Sequence, residues 1–389
     1  MVSLKILASH PIQYQTPVWK ELASRGCDIR VGYFHQGTAG RRARDTDFGV
    51  EMEWDVDLLS GYPHRFFHTD VPDYGWAVQL KAFPSILAWF LQDVHTPLLL
   101  VGWFVETVWL LWALAILLRV PVFTLSDTTP RSFRRFPKPG WRVQLLGWLL
   151  SHSAGHLYIG ELNRQFLLEM GVDRQRLFHF PYSIDNLFFE REARRLSSDR
   201  YRFCNTYGLD ANLPTFLFCG KLVPIKRPLE LLKAYLEAGL QEQAQLIFVG
   251  EGALRGELEK LIGESQAKHV HLLGFFNYSQ LPSAYVLGQV LCLISETDAW
   301  GLVVNEAMAC GRPVLVSDTV GCAPDLVDAT NGWVVPADDP AALARTLRQA
   351  YEERHTWEEK GRQSLKKISR HTYSAMADGV LAALQSFQR

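Results

Sequence analysis

Short apolar runs alternate with amphipathic stretches along most of the chain. Residues 4–8 and 29–34 are apolar runs of strand length, and 17–24 between them reads as a helix opened by a first-turn proline, Pro17. The longest apolar run, 98–118, approaches the length of about 20 residues that spans a bilayer. It contains Glu106, and it divides into a buried strand 98–103, a helix 106–119 and, after Pro121, a strand 122–125. A membrane-spanning reading of 98–118 stands as the alternative. In the second half, strands are expected to start at Thr215, Gln245, Val270, Val290 and Val314, with helices between them. Alternation of this kind predicts an α/β protein with doubly wound parallel sheets.

With 389 residues the chain exceeds the size at which one core stops growing, so two domains are expected. The boundaries are a first domain 1–185, a charged linker 186–213 without clear periodicity, and a second domain 214–371. Forty basic against 41 acidic side chains leave a net charge of −1, which argues against nucleic acid as a partner. The six cysteines form no CxxC pair and read as buried, reduced thiols, with neither a disulfide framework nor a zinc site. No signal-peptide pattern leads the chain, because 4–8 reads as a strand, so a cytoplasmic location is expected.

The chemistry concentrates in DAWGLVVNEAMACGRPVLVSD, 298–318. Residues 303–310 form a helix, Gly311 is its left-handed stop, and Pro313 precedes a strand 314–316. Gly301 then lies just before a helix N-terminus, where backbone N–H groups and the helix dipole favour an anion such as a diphosphate oxygen. Asp298 and Glu306 set two carboxylates around this turn, suited to hydroxyl-rich ligands because each ionised oxygen accepts charge-assisted hydrogen bonds. The alternative is structural, with Asp298 capping the helix and Glu306 solvating its surface. A second segment, GKLVPIKRP at 220–228, follows an apolar run and precedes an amphipathic helix. It places Lys221 and Lys226 at a strand-to-helix turn, where open α/β sheets bind phosphates.

The order of GKL, Lys226 five residues on, VGEGALRGELEKL, HLLGFF and the acidic pair with NEAMACGRPV resembles the C-terminal domain of family 4 retaining glycosyltransferases of the GT-B fold. IGELNRQFLLEMGV followed by FPYSID is similar to that family's hinge region. The resemblance implies two Rossmann-like domains facing a cleft, with the last helix, 372–387, packed back on the first. It implies that Gly220, Lys221 and Lys226 hold the donor diphosphate and that Glu306 bonds the ribose. The backbone at Gly301 and Leu302 would touch the sugar or its phosphate, Gly250 and Glu251 would line the next strand end, and Phe275 would lie near the nucleobase. Asp298 takes the place of a family glutamate that faces the transferred sugar. It is one methylene shorter, which puts the sugar's identity, or activity itself, in question; Glu296 is a weaker substitute.

Acceptor chemistry is expected from the first domain. SHPIQYQTP, 9–17, follows the first strand and carries His10 as a candidate base, with Gln13 and Tyr14 as acceptor contacts. The other reading has His10 capping the loop and Tyr14 packing beneath it. In SDTTP, 126–130, Asp127 stands where many relatives have a histidine and is a candidate to bind the acceptor hydroxyl, or an ordinary turn cap. Between Asp127 and Glu161 the only acidic or basic side chains are basic, among them Arg131, Arg134, Arg135, Lys138 and Arg142, interleaved with Phe133, Phe136, Trp141 and Trp148. This mixture over 131–148 suits the inner face of an anionic membrane or a solvated helix edge. Asp45-Thr46-Asp47 forms a DxD pattern but sits in a loop and is not read as a metal site. Trp54 and Tyr62 follow in a segment that contributes to acceptor choice or forms a surface hairpin.

These readings converge on a retaining glycosyltransferase that needs no metal or other cofactor. It would move a sugar from a nucleotide-diphosphate donor to a saccharide or lipid-linked acceptor in cell-surface polysaccharide or glycoconjugate synthesis. A catalytically silent sugar-nucleotide binder and a nucleotide-sugar epimerase of the same fold are the alternatives.

Overall fold

The computed structural model describes residues 2–37, 39, 43–44, 51–52, 55–68, 75–103, 105–135 and 138–387, with the backbone alone at 43–44 and 51–52. Two units divide the chain: 1–43, 56–182 and 372–389 form the first, 44–55 and 183–371 the second.

Among the described residues, nine strands lie in the N-terminal half: β1 (Ser3–Ala8), β2 (Asp28–Tyr33), β3 (Ala43–Arg44), β4 (Glu51–Met52), β5 (His64–Phe66), β6 (Leu98–Val101), β7 (Val122–Leu125), β8 (Gly155–Tyr158) and β9 (Leu177–His179). Six follow: β10 (Thr215–Cys219), β11 (Gln245–Val249), β12 (Val270–Gly274), β13 (Val290–Leu293), β14 (Val314–Ser317) and β15 (Gly332–Val335). The first unit holds a sheet in the order β5-β2-β1-β6-β7-β8-β9, the second a sheet in the order β12-β11-β10-β13-β14-β15, and β3 pairs with β4 in a separate ribbon. Every pairing described in the two large sheets is parallel. Helices cover both faces of such sheets, which is why β6, β7, β10, β11, β13 and β14 are buried at every residue instead of alternating.

The strands expected at Thr215, Gln245, Val270, Val290 and Val314 start at those residues. The run 98–118 is β6 followed by the Glu106–Leu117 helix, and no described helix is long and apolar enough to cross a membrane. β6 stops short of Trp103 because Gly102 turns the chain at φ 75°. Arg119 at φ 60° is already left-handed, so the helix ends before it.

The segment 186–213, read as a linker without clear periodicity, has helical structure. It contains the helices Asn186–Ser197 and Arg200–Thr206, and it lies in the second unit. The Asp185 carboxylate accepts from the Phe188 N–H at 3.0 Å and caps the first. Phe189 and Ala193, four residues apart, form its buried stripe. Two inward residues among so many charges leave too faint a periodicity to read.

Five cysteines are buried, while Cys27 is half-buried, which departs from the uniform burial expected. Tyr62 is a core residue and not an exposed acceptor contact: its hydroxyl donates to Leu58 O at 2.7 Å and lies 2.8 Å from the Tyr33 hydroxyl. Asp45, Thr46, Asp47, Trp54 and Phe136 lie outside the described residues. The Tyr373–Phe387 helix is part of the first unit, where Asp378 and Ser374 meet Arg25 at 2.6 Å each.

Candidate donor site at the carboxyl edge of the second sheet

β10 is flanked by β11 on one side and β13 on the other, so the connections leaving its two neighbours diverge. Such a switch point opens a crevice at the carboxyl ends of the strands. Gly220 and Lys221 follow β10, Gly250 and Glu251 follow β11, Phe275 follows β12, and Asp298 to Leu302 follow β13. The fold thus brings every donor-side candidate to one sheet edge.

Backbone bonds zip these loops together. Gly220 N–H donates to Val249 O at 2.9 Å, Leu222 N–H to Glu251 O at 2.8 Å, and Glu296 N–H to Ile225 O at 2.8 Å. Gly250 has φ 142°, and a Cβ there would fall 1.9 Å from Gly220 O, so no side chain fits. Asp298 forms a bridge with Val320, and Gly321 N–H donates to Asp298 O at 3.0 Å. A Cβ on Gly321 would lie 1.9 Å from Ala299 O, so these loops are also in backbone contact.

Gly301, at φ 92°, directs the chain into the Leu302–Ala309 helix, and Gly311 at φ 68° ends it. The Trp300 indole N–H donates to Asn305 Oδ1 at 2.9 Å and fixes the turn. Glu306 faces inward and is 8% exposed, which excludes the surface-solvating reading. It accepts a hydrogen bond from the Tyr285 hydroxyl. Burial pushes its carboxyl up to about 7, and the Tyr285 bond acts in the opposite direction. Tyr285 lies on the Leu281–Leu287 helix, 21 positions away in sequence, and no motif points to it.

Lys226 is paired with Asp298 through Nζ and Oδ2. Asp298 is therefore engaged by a cation, and the helix-cap reading finds no bond here: Gly301 is the cap position and carries no side chain. Glu251 is held by Arg255. Phe275 is half-buried.

In the first unit His10 follows β1, stacks on His35 with ring centroids 5.1 Å apart, and has its Nδ1 3.0 Å from Ser9 Oγ. Gln13 and Tyr14 follow in the same loop, and the Tyr14 ring packs on Tyr182 at 5.2 Å. Asp127 follows β7. Burial raises the Tyr182 phenol far above its ordinary value, and Tyr14 and then Asp127 add to this, so both sit near Tyr182. His10, Gln13 and Tyr14 thus lie beyond the carboxyl end of β1 and Asp127 beyond that of β7, two strands of one sheet with β6 between them.

Two Rossmann-like parallel-sheet units in one chain define the GT-B class of architecture. HepE of Anabaena, solved in complex with UDP, superposes over 99% of this chain and 100% of its own with a TM-score of 0.75 at 17% identity. Residues 202–371 match the family described as Glycosyl transferases group 1. The chain is 31% identical over 157 residues to an alpha-D-kanosaminyltransferase of Streptomyces kanamyceticus, covering 36% of this chain and 39% of that protein. It is 30% identical over 265 residues to a D-inositol 3-phosphate glycosyltransferase of Streptomyces scabiei, covering 64% and 56%. The chain thus spans about two fifths to just over half the length of these curated relatives.

Proposed function

We propose that this protein is a retaining, metal-independent glycosyltransferase, with its donor, a nucleotide-diphosphate sugar, held by the second unit. The observation that carries this reading is the loop cluster after β10 to β13, which gathers two lysines, a buried carboxylate and a helix N-terminus at one switch point. Glu306, with one hydrogen bond among the described residues, retains acceptor capacity for ribose hydroxyls. Lys221 and Lys226 offset the charge developing on the departing diphosphate, the role a metal would otherwise take. Asp298 meets the transferred sugar once the diphosphate draws Lys226 away, while Gly301 and Leu302 present backbone N–H groups. Gly220, Gly250 and Glu251 shape the diphosphate side, and Phe275 supports the base. On the first unit, His10 orients or deprotonates the acceptor hydroxyl and Asp127 accepts a hydrogen bond from it, with Gln13 and Tyr14 as further acceptor contacts. The acceptor is a saccharide or a lipid-linked saccharide of cell-surface polymer synthesis, reached at the cytoplasmic face of a membrane through 131–148. UDP in HepE and the transferase names of the relatives support a sugar-nucleotide donor for this chain.

The Lys226–Asp298 pair favours one rival, a silent sugar-nucleotide binder, because it ties up the carboxylate that would meet the sugar. A donor screen separates the two. UDP-, GDP- and ADP-sugars are incubated with the protein and nucleotide release is followed by mass spectrometry, with lipid-linked acceptors added in a second arm. Release from one donor, reduced about 100-fold by Asp298→Ala with the donor still bound, is expected for the transferase. Binding without release in both arms establishes the silent binder.

A further inference from the structure

The first unit contains a cavity of about 400 Å³ that none of the donor or acceptor residues line. Its apolar wall includes Trp76, Trp103, Trp109, Leu110, Trp141 and Leu145. Trp76, Leu110 and Trp141 are 57%, 58% and 61% exposed, so the wall runs out onto the surface. It continues there at helical spacing. Trp76 with Leu80, Leu110 with Leu117, and Trp141 with Trp148 are exposed pairs four or seven residues apart on the helices Trp76–Leu91, Glu106–Leu117 and Gly140–Ser151. Three neighbouring helices therefore each turn an apolar stripe to solvent, where a globular protein normally keeps its polar face.

The polar groups of the cavity are Glu106, Lys138 and Arg142. Glu106 binds the three helix starts together. It accepts from Gln79 Nε2 at 3.0 Å and from Arg142 Nη2 at 3.3 Å, and Thr107 N–H donates to Gln79 Oε1 at 3.2 Å. The Gln79 bond, with Arg142 adding to it, holds the Glu106 carboxyl below the usual range. Its charge is thus compensated from within the protein. Lys138 lies over the Phe133 ring at 4.6 Å, and Arg131, Arg134 and Arg135 precede it with no acidic residue before Glu161. Trp76 and Glu106 are the first residues of their helices and Trp141 the second of its own, so three positive dipole ends meet at this cavity. Indoles around an apolar slot, with cations and helix N-termini at its mouth, complement an amphiphile with an anionic head.

We propose that this face docks on an anionic lipid bilayer and that the indole-lined cavity takes one acyl chain of an anionic phospholipid, its phosphate meeting Lys138 and Arg142. The inference deepens the membrane contact of the proposed function and rests on that reading. It shifts the contact from a basic stretch at 131–148 to a built site that also needs the two preceding helices.

The test uses the full chain with vesicles of phosphatidylcholine, alone or mixed with phosphatidylglycerol, whose acyl chains are brominated or not. Co-sedimentation is expected only with phosphatidylglycerol present and is expected to weaken severalfold as salt rises. Brominated chains should quench tryptophan fluorescence where plain chains do not. Trp76→Ser combined with Trp141→Ser should lower vesicle affinity roughly tenfold and remove most of the quenching. Both positions are exposed, so the melting temperature and UDP binding should be unchanged. Equal binding to neutral and anionic vesicles overturns the proposal, and so does anionic binding without quenching, which describes a purely electrostatic surface. Self-association lost in the double variant also overturns it and assigns the face to a second copy of the chain. UDP binding is read separately: its absence beside intact lipid binding sinks the donor reading alone.

Discussion

Among the described lysine, arginine, aspartate and glutamate residues, one in each unit is buried, and the two are treated differently. In the first unit Lys5 on β1 is 1% exposed, and its ammonium donates to the carbonyl oxygens of Trp89, Phe90 and Asp93 at 3.3, 2.8 and 2.7 Å. Those three bonds use all the donors an ammonium has and satisfy the carbonyl end of the Trp76–Leu91 helix. In the second unit Glu306 receives one bond, from Tyr285, although a carboxylate has room for about four. Burial lowers the proton affinity of Lys5 and raises that of Glu306, each toward its neutral form. A buried ion whose bonds are complete is a structural part. One left incomplete at a strand-end crevice has bonding capacity reserved for a ligand.

That contrast is open to attack from the strongest effect downward. Lys5→Met strips three carbonyls of their donor and should destabilise the first unit by about 3 kcal/mol or more, visible as a lowered first transition in calorimetry. A loss below about 1 kcal/mol would show that the Lys5 bonds are dispensable and would break the contrast.

Glu306 should behave oppositely in stability. Its folded proton affinity, about 7, exceeds its ordinary value of 4.5, so the folded state binds more protons between those pH values. The stability it contributes is complete below pH 4.5 and is lost as pH rises through about 7. At about 1.4 kcal/mol for each tenfold change in proton affinity, ionising it costs roughly 3–4 kcal/mol. Glu306→Gln should therefore be more stable than the parent at pH 8 by about that amount and nearly equal to it near pH 4, in urea titrations at both values. Equal stabilities at pH 8 would mean that the carboxylate is already satisfied.

Nucleotide binding gives the next test. Glu306→Ala should weaken UDP binding roughly 10- to 100-fold by calorimetry, the range for removing charge-assisted bonds to hydroxyls. Unchanged affinity would refute the reservation of its oxygens for a ligand. The smallest effect belongs to Tyr285→Phe, which removes the bond favouring the ionised form. Glu306 should then titrate higher, so UDP affinity should fall about threefold at pH 7 and recover as pH rises. A pH-independent loss would reduce Tyr285 to a packing role.

The two units also differ in how far they could be read from sequence. Five strands of the second sheet start at the residues named in advance, because each is a continuous apolar run following a turn or a polar break. In the first unit β1, β2, β6 and β7 were legible in the same way, whereas the short strands β5, β8 and β9 were not, and its surface did not declare itself. Trp103, Trp109 and Trp112 stand close together in sequence, yet Trp112 is a core residue while Trp103 and Trp109 line the cavity. The 3.6-residue period separates them only once the neighbouring helices are known. Likewise the charge of 186–213 concealed two helices that Phe189, Ala193 and Cys204 anchor.

The sequence by itself determined the alternation of strands and helices, the parallel sheets that follow from it, and the grouping of Lys221, Lys226, Asp298 and Glu306 at strand ends. These depend on local periodicity and turn chemistry, which a linear pattern carries. Only the tertiary structure decided that Lys226 is held by Asp298, that Tyr285 binds Glu306, and that three helices turn indoles toward one cavity. Each joins residues from separate elements, and hydrogen bonds, ion pairs and cavities depend on distances that chain order does not encode.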